Sequence, residues 1–157
     1  MAKIKFNHTE HGVETVFEYN QIDDNIFIGT NMCCQTHFKK ELLDQGITAD
    51  ISLEEERLDS PFGVVFFCWL PTKDHFPPTL EQLQAGVDFI SSLVKQNQKI
   101  YIHCKNGHGR APTLVTAYYI STGLSLKEAV KKIQEKRSVI HIEDPQLEAL
   151  ENFEKKM

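Results

Sequence analysis

The chain has 157 residues, 41% of them hydrophobic and 25% charged, with a formal net charge of −5. Those values describe one ordinary globular domain over 1–157 and exclude a disordered or fibrous chain. The scattered Lys and Arg exclude the basic face that nucleic-acid binding needs, and the longest apolar stretch, 62–70, is too short to span a bilayer. In chain order, 3–6 and 15–17 can pair as a short N-terminal hairpin within 1–18, across His11-Gly12. Residues 25–29 read as a strand ending in a turn. Thr36 is placed to cap a helix running to about Gln45 and closed by Gly46. The β-prone runs 49–53 and 64–69 follow, with the acidic loop Glu54-Glu55-Glu56 between them. Pro77-Pro78 breaks the chain, and Thr79 with Gln82 makes a capping box. Behind it Leu80, Leu83, Val87, Ile90 and Val94 repeat at helical spacing, the mark of a single buried stripe. Residues 99–103 form a short strand. Helices are expected over 110–122, from Ser125 with Glu128 as a second capping box, and from Asp144-Pro145 to the C-terminus. Pro112 falls in a first helical turn, where its missing N–H costs nothing. The pattern predicts an α/β fold: a central, mostly parallel sheet of about four to five strands, flanked by helices on both faces.

The chemistry lies where strand 99–103 runs out, in His103-Cys104-Lys105-Asn106-Gly107-His108-Gly109-Arg110-Ala111-Pro112-Thr113. A strand end, a loop with two glycines and a helix start is the geometry of an anion cradle. Glycine lets successive backbone N–H groups point inward, and the helix N-terminus adds about half a positive charge. A thiol at the mouth of such a cradle feels the same field and is favoured as a thiolate nucleophile. Arg110 closes the loop with a bidentate fork suited to two phosphate oxygens. A nucleophile in contact with a bound phosphate implies phosphoryl transfer.

His-Cys-x5-Arg resembles the signature loop of the cysteine-dependent protein tyrosine phosphatases. The match extends beyond the loop. Tyr19-Asn20-Gln21-Ile22-Asp23-Asp24-Asn25-Ile26-Phe27-Ile28-Gly29 resembles the opening of a small dual-specificity phosphatase domain, and Gly46-Ile47-Thr48-Ala49-Asp50-Ile51-Ser52-Leu53 is similar to that family's first helix end and next strand. Trp69-Leu70-Pro71-Thr72-Lys73-Asp74-His75-Phe76-Pro77-Pro78 is similar to its acid-bearing loop. The resemblance covers nearly the whole chain after about Tyr19.

The resemblance implies the roles. Cys104 would be the nucleophile that forms a phosphocysteine. Arg110 and the amides of Lys105, Asn106, Gly107, His108 and Gly109 would bind the phosphoryl oxygens. Asp74 would protonate the leaving oxygen and then act as base on water, and His103 would support the loop. Neither cofactor nor metal is implied. Gln146 reads as a plain helix N-terminal residue, although some relatives use a glutamine to place the water. Most relatives carry Ser or Thr where this chain has Ala111. The implied substrate is a phosphorylated protein, through phosphotyrosine and phosphoserine or phosphothreonine, or a small phosphomonoester. Lys105 and His108 make the loop more basic and keep a phosphoinositide open. Arg110-Ala111-Pro112 resembles the loop of glucan phosphatases, which keeps a phosphoglucan open. A silent phospho-ligand binder remains the reading from another class. Nothing points to nucleic acid or to integral membrane association, and the sequence sets no oligomeric state.

Cys33, Cys34, Cys68 and Cys104 complete the reading. Cys33 and Cys34 are adjacent and lack the two-residue gap of a zinc pair. No apolar run follows Met1-Ala2-Lys3, so no signal peptide is expected, and all four read as thiols in a reducing cytoplasm. Cys33, Cys34 and Cys68 read as small buried hydrophobes, with Cys68 also a candidate resolving partner for an oxidised Cys104.

Overall fold

The structure, a computed structural model, describes residues 3–6 and 14–157. Five strands, β1 (Tyr19–Gln21), β2 (Ile26–Gly29), β3 (Ile47–Glu54), β4 (Phe66–Thr72) and β5 (Lys99–His103), form one sheet in the order β1-β2-β5-β3-β4. Only the β1–β2 pair is antiparallel; β2–β5, β5–β3 and β3–β4 are parallel. The helices are α1 (Lys40–Asp44), α2 (Leu80–Lys95), α3 (Arg110–Ser121), α4 (Leu126–Gln134) and α5 (Asp144–Lys155). The expected class, a mostly parallel sheet between helical layers, is the class observed.

The two faces of the sheet follow from strand alternation. Ile26 and Ile28, Ile100 and Ile102, and Ala49, Ile51 and Leu53 pack into the larger core with Leu83, Val87, Ile90, Leu114, Val130 and Leu150 of α2–α5. Phe27 and Tyr101 turn to the other face, where Phe38 and Leu42 of α1 cover them. The central strand β5 is therefore buried on both sides, which is why it reads as a continuous apolar run. Helix α3 is buried from Arg110 to Ile120, so its sequence carries no clear stripe.

Both predicted capping boxes form: Thr79 with Gln82 opens α2, and Ser125 with Glu128 opens α4. The first helix differs from expectation. It starts at Lys40 rather than after Thr36, because Lys39 is extended at ψ 128°, a conformation accompanied by Phe38 N–H donating to Phe62 C=O and Lys39 N–H to Cys33 C=O. Residues 31–33 form a 3-10 turn instead. Residues 3–6 and 15–17 are not in strands, and the turn at His11-Gly12 lies outside the described residues. Ile4 and Phe6 pack on the main core, with the Phe6 ring against His141. No described helix is long and apolar enough to cross a membrane.

Candidate active site

Open parallel sheets place ligands beyond the carboxyl ends of their strands. Here β5 ends at His103 and is followed by Cys104, 3% exposed, and then by Lys105, which with Lys73, Glu56 and Asp74 lines a cleft of about 510 Å³. Four consecutive carbonyls of the loop are tied outward. Lys105 C=O accepts from Asn31 N–H at 3.0 Å, and His108 C=O from His141 N–H at 2.6 Å. Between them, Asn106 C=O accepts from Arg137 Nη2 and Gly107 C=O from Arg137 Nε, both at 2.9 Å. In a trans peptide the next N–H points opposite to its C=O, so the amides of Asn106 to Gly109 face inward. Gly107 sits at φ 69°, and a Cβ there would lie 2.5 Å from Gly29 C=O, so only glycine fits. Gly109 leads into α3, whose N-terminus adds its dipole to the cradle.

Arg110 is 1% exposed and held from two sides. Its Nη1 donates to Thr72 C=O at 2.8 Å and to Glu56 Oε1 at 2.7 Å, and Nη2 donates to Glu56 Oε2 at 3.2 Å. A guanidinium has five N–H donors in a fixed plane. Three are used, and the remaining two, Nε–H and the second Nη2–H, lie parallel along one edge. That edge is the fork two phosphoryl oxygens require. Asp74 Oδ1 stands 3.5 Å from Nε, at the mouth of the fork. Asp74 is held there by the backbone N–H of His75, at 3.0 Å, and His75 adopts φ 71°, uncommon for a side-chain-bearing residue.

His103 is fully buried behind the nucleophile. Its Nδ1 bonds to Cys104 C=O at 3.1 Å; its Nε2 lies 2.7 Å from Asp59 Oδ2, 3.2 Å from Asp50 Oδ1 and 3.4 Å from Cys34 Sγ. Burial opposes charge on His103, but the Asp50 and Asp59 carboxylates outweigh it and hold the imidazole protonated well above its ordinary value. The same burial pushes Asp50 up to about 6, and His103 overrides burial at Asp59 to hold it below the usual carboxylate value. Cys33 and Cys34 are joined by a disulfide, which corrects the expectation of four thiols: both side chains turn into one buried pocket against this cluster.

Of the residues expected from the sequence, Asp74 and Lys105 line the cleft, Arg110 meets Asp74 at 3.5 Å, and His103 is buried behind Cys104. Gln146, expected to be an ordinary helix residue, is fully buried: its Nε2 donates to Phe76 C=O at 3.2 Å and it lies against Gly109, so it bridges the two loops. Cys68 stands on β4, two strands from β5, or about 9.6 Å across the sheet. A disulfide needs Cα atoms closer than about 7 Å, so Cys68 does not serve Cys104 without movement of the sheet. Glu56, Arg137, Asn31, Asp50 and Asp59 were not legible as site residues, since each acts through a contact distant in sequence. A larger cavity of about 1280 Å³, between residues 3–6 and α5, includes none of the signature-loop residues.

Residues 26–156 match the family model described as the dual specificity phosphatase catalytic domain. The human phosphatidylglycerophosphatase and protein-tyrosine phosphatase 1 is 32% identical over 155 residues, covering 88% of this chain and 74% of that protein. Among solved structures, PTPMT1 in complex with PI(5)P superposes with a TM-score of 0.73 at 30% identity, over 88% of this chain and 95% of that one. Human DUSP28 shares the fold, with a TM-score of 0.79 at 19% identity over 87% of this chain and 96% of that one.

Proposed function

We propose that this chain, which belongs to the dual specificity phosphatase catalytic-domain family and is a cysteine-dependent phosphatase, hydrolyses phosphomonoesters on protein side chains through a phosphocysteine at Cys104. The observation that carries this reading is the free edge of Arg110 beside Asp74, at the end of a loop of inward amides that starts at Cys104. In the first step the Cys104 sulfur attacks phosphorus and the ester oxygen leaves. The amides of Asn106 to Gly109 and the Arg110 fork hold the equatorial oxygens, where charge must be met in the transition state. Asp74, protonated, gives its proton to the leaving oxygen, a contribution of about 10²–10⁴-fold. In the second step Asp74 accepts a proton from water, the water oxygen attacks phosphorus, and the sulfur departs to release phosphate.

A phosphorylated lipid headgroup is the second reading. It is favoured by the name of the 32% identical human protein and by two exposed aromatics next to cleft residues: Phe76, which follows His75, and Trp69, whose indole N–H donates to Glu54 C=O. Phosphate release from p-nitrophenyl phosphate tests the activity. Phosphotyrosyl and phosphoseryl peptides, set against vesicles carrying phosphatidylglycerophosphate or PI(5)P, then separate the substrates. Faster turnover of the peptides supports the first reading, and faster turnover of the vesicles replaces it with the second.

A further inference from the structure

Behind the catalytic loop, on the sheet face opposite α2–α5, five side chains converge: Cys33, Cys34, Asp50, Asp59 and His103, with one ligand atom of each within 4.8 Å of all the others. All five are buried. This group has more lone pairs than protons. The single hydrogen on His103 Nε2 is directed at Asp59, 2.7 Å away, and cannot also serve Asp50 and Cys34. Both oxygens of Asp50, 0% exposed, have no hydrogen-bond partner. Asp50 and Asp59 share one counter-charge, the His103 imidazole, so the pocket holds more carboxylate than cation, and a divalent ion is the charge that offsets it.

We propose that the dithiol form of this chain binds one divalent zinc-class metal ion through Cys33 Sγ, Cys34 Sγ, His103 Nε2 and a carboxylate oxygen of the Asp50–Asp59 pair. Three observations fit that ion. The donor set is the sulfur, imidazole and carboxylate mixture that zinc takes. Bonds of about 2.0–2.3 Å at tetrahedral angles put ligand atoms about 3.3–3.8 Å apart. The contacts of Cys34 Sγ to His103 Nε2, at 3.4 Å, and of Asp50 Oδ1 to the same nitrogen, at 3.2 Å, are already near that separation. Third, a metal-bound histidine donates its other N–H to a carbonyl or carboxylate, and His103 Nδ1 already meets Cys104 C=O at 3.1 Å. The metal replaces the Nε2 proton and leaves that bond in place, so the site is built onto the backbone of the nucleophile.

The Cys33–Cys34 disulfide is the closed form of the same site. A thiol reductant opens it: the S–S bond breaks, two electrons and two protons pass to the cysteines, and two reductant thiols leave as one disulfide. The divalent ion then displaces both thiol protons and the Nε2 proton to solvent and forms two metal–sulfur bonds, one metal–nitrogen bond and one metal–oxygen bond. A small disulfide reverses the binding: the two metal–sulfur bonds break and the ion is released, the two thiolates pass two electrons to the disulfide and join as Cys33–Cys34, and the small disulfide takes up two protons and leaves as two thiols. The proposal is independent of the substrate reading, since no ligand contacts the phosphoryl group.

Cobalt(II) is the probe, added to the full chain after reduction with a non-thiol phosphine, in a Cys104→Ser background that removes the catalytic thiol. One equivalent is expected to give the near-ultraviolet sulfur-to-cobalt charge-transfer band and the visible bands of a tetrahedral site. Cys33→Ser combined with Cys34→Ser is expected to lose both, and Asp50→Asn to weaken the affinity. Because those variants can fail to fold, the wild-type chain supplies a second measurement: zinc should raise the melting temperature of the reduced protein and leave that of the oxidised protein unchanged. Absence of the cobalt bands from the reduced chain, or an equal zinc effect on both redox forms, overturns the proposal.

Discussion

Arg137 Nε donates to the Gly107 carbonyl at 2.9 Å, so a side chain 30 residues beyond Gly107 holds the backbone of the signature loop in place. Arg137 is 1% exposed, and its remaining donors reach Asn106 C=O, Asn20 Oδ1 and both oxygens of Glu18. Arg137→Lys keeps the charge but not the fork that spans two carbonyls. A hydrogen bond to a charged group is worth about 1.5–3 kcal/mol, which corresponds to a rate loss on the order of 10–100-fold. Steady-state kinetics should show that loss in kcat, with a smaller fall in melting temperature. An unchanged kcat would remove Arg137 from the positioning of the loop.

Glu56 fixes the plane of the Arg110 guanidinium through two contacts, at 2.7 and 3.2 Å. Glu56→Gln can accept only one of them. Free phosphate should bind the variant more weakly and kcat/KM should fall by roughly tenfold, the equivalent of ~1.4 kcal/mol. The melting temperature should move little, since the Glu56 side chain is 45% exposed. A variant with parental phosphate inhibition would show that Thr72 C=O alone orients the fork.

Asp74→Asn should slow substrates with poor leaving groups most. An alkyl phosphate needs a proton on departure, whereas nitrophenolate departs nearly unaided. Equal losses on phosphoserine and p-nitrophenyl phosphate would assign the proton to another group.

The buried cluster of His103, Asp50 and Asp59 behind the loop sets a pH dependence of stability. His103 is raised above its ordinary 6.5, so its contribution is complete below about that pH and is lost as pH rises through the raised value. Asp50, raised from 3.8 to about 6, acts in the same direction, since its ionisation costs stability as pH climbs through that interval. Asp59 is lowered, so its contribution is present above 3.8 and lost only as pH falls further. Melting temperature should therefore decline on the alkaline side in the parent and less steeply in His103→Gln. A parent that gains stability as pH rises above neutrality would reverse the assignment.

Ala111 is fully buried in the first turn of α3, and the nearby Thr113 hydroxyl is committed to Gly109 C=O at 2.7 Å. Neither has a free hydroxyl to offer the departing Cys104 sulfur. Ala111→Ser should speed the steady state on the order of tenfold or more, and should change the initial burst of alcohol less. Equal effects on burst and steady state would place the limiting step before breakdown of the phosphocysteine.

The parts of this arrangement that depend on short stretches of sequence were legible without coordinates. Thr79 with Gln82 and Ser125 with Glu128 mark helix starts because each box closes within four residues. Residues 103–110 carry their strand end, glycines and arginine together. Arg137, Glu56 and Asp59 were not legible because a charged residue in a helix end or acidic loop looks solvated until its distant partner is known. The start of α1 was misplaced for the same reason: the Phe62 and Cys33 carbonyls that capture the amides of Phe38 and Lys39 belong to other segments. The sequence also carries no signal that Cys33 and Cys34 face His103.

The most direct test of the phosphocysteine account is rapid acid quench of the enzyme during turnover of p-nitrophenyl phosphate, followed by peptide mass spectrometry. The account predicts one phosphate per chain on the peptide containing Cys104, and none on that peptide in Cys104→Ser, which should still bind phosphate. Phosphate on any other residue, or turnover by Cys104→Ser within about tenfold of the parent, would contradict it.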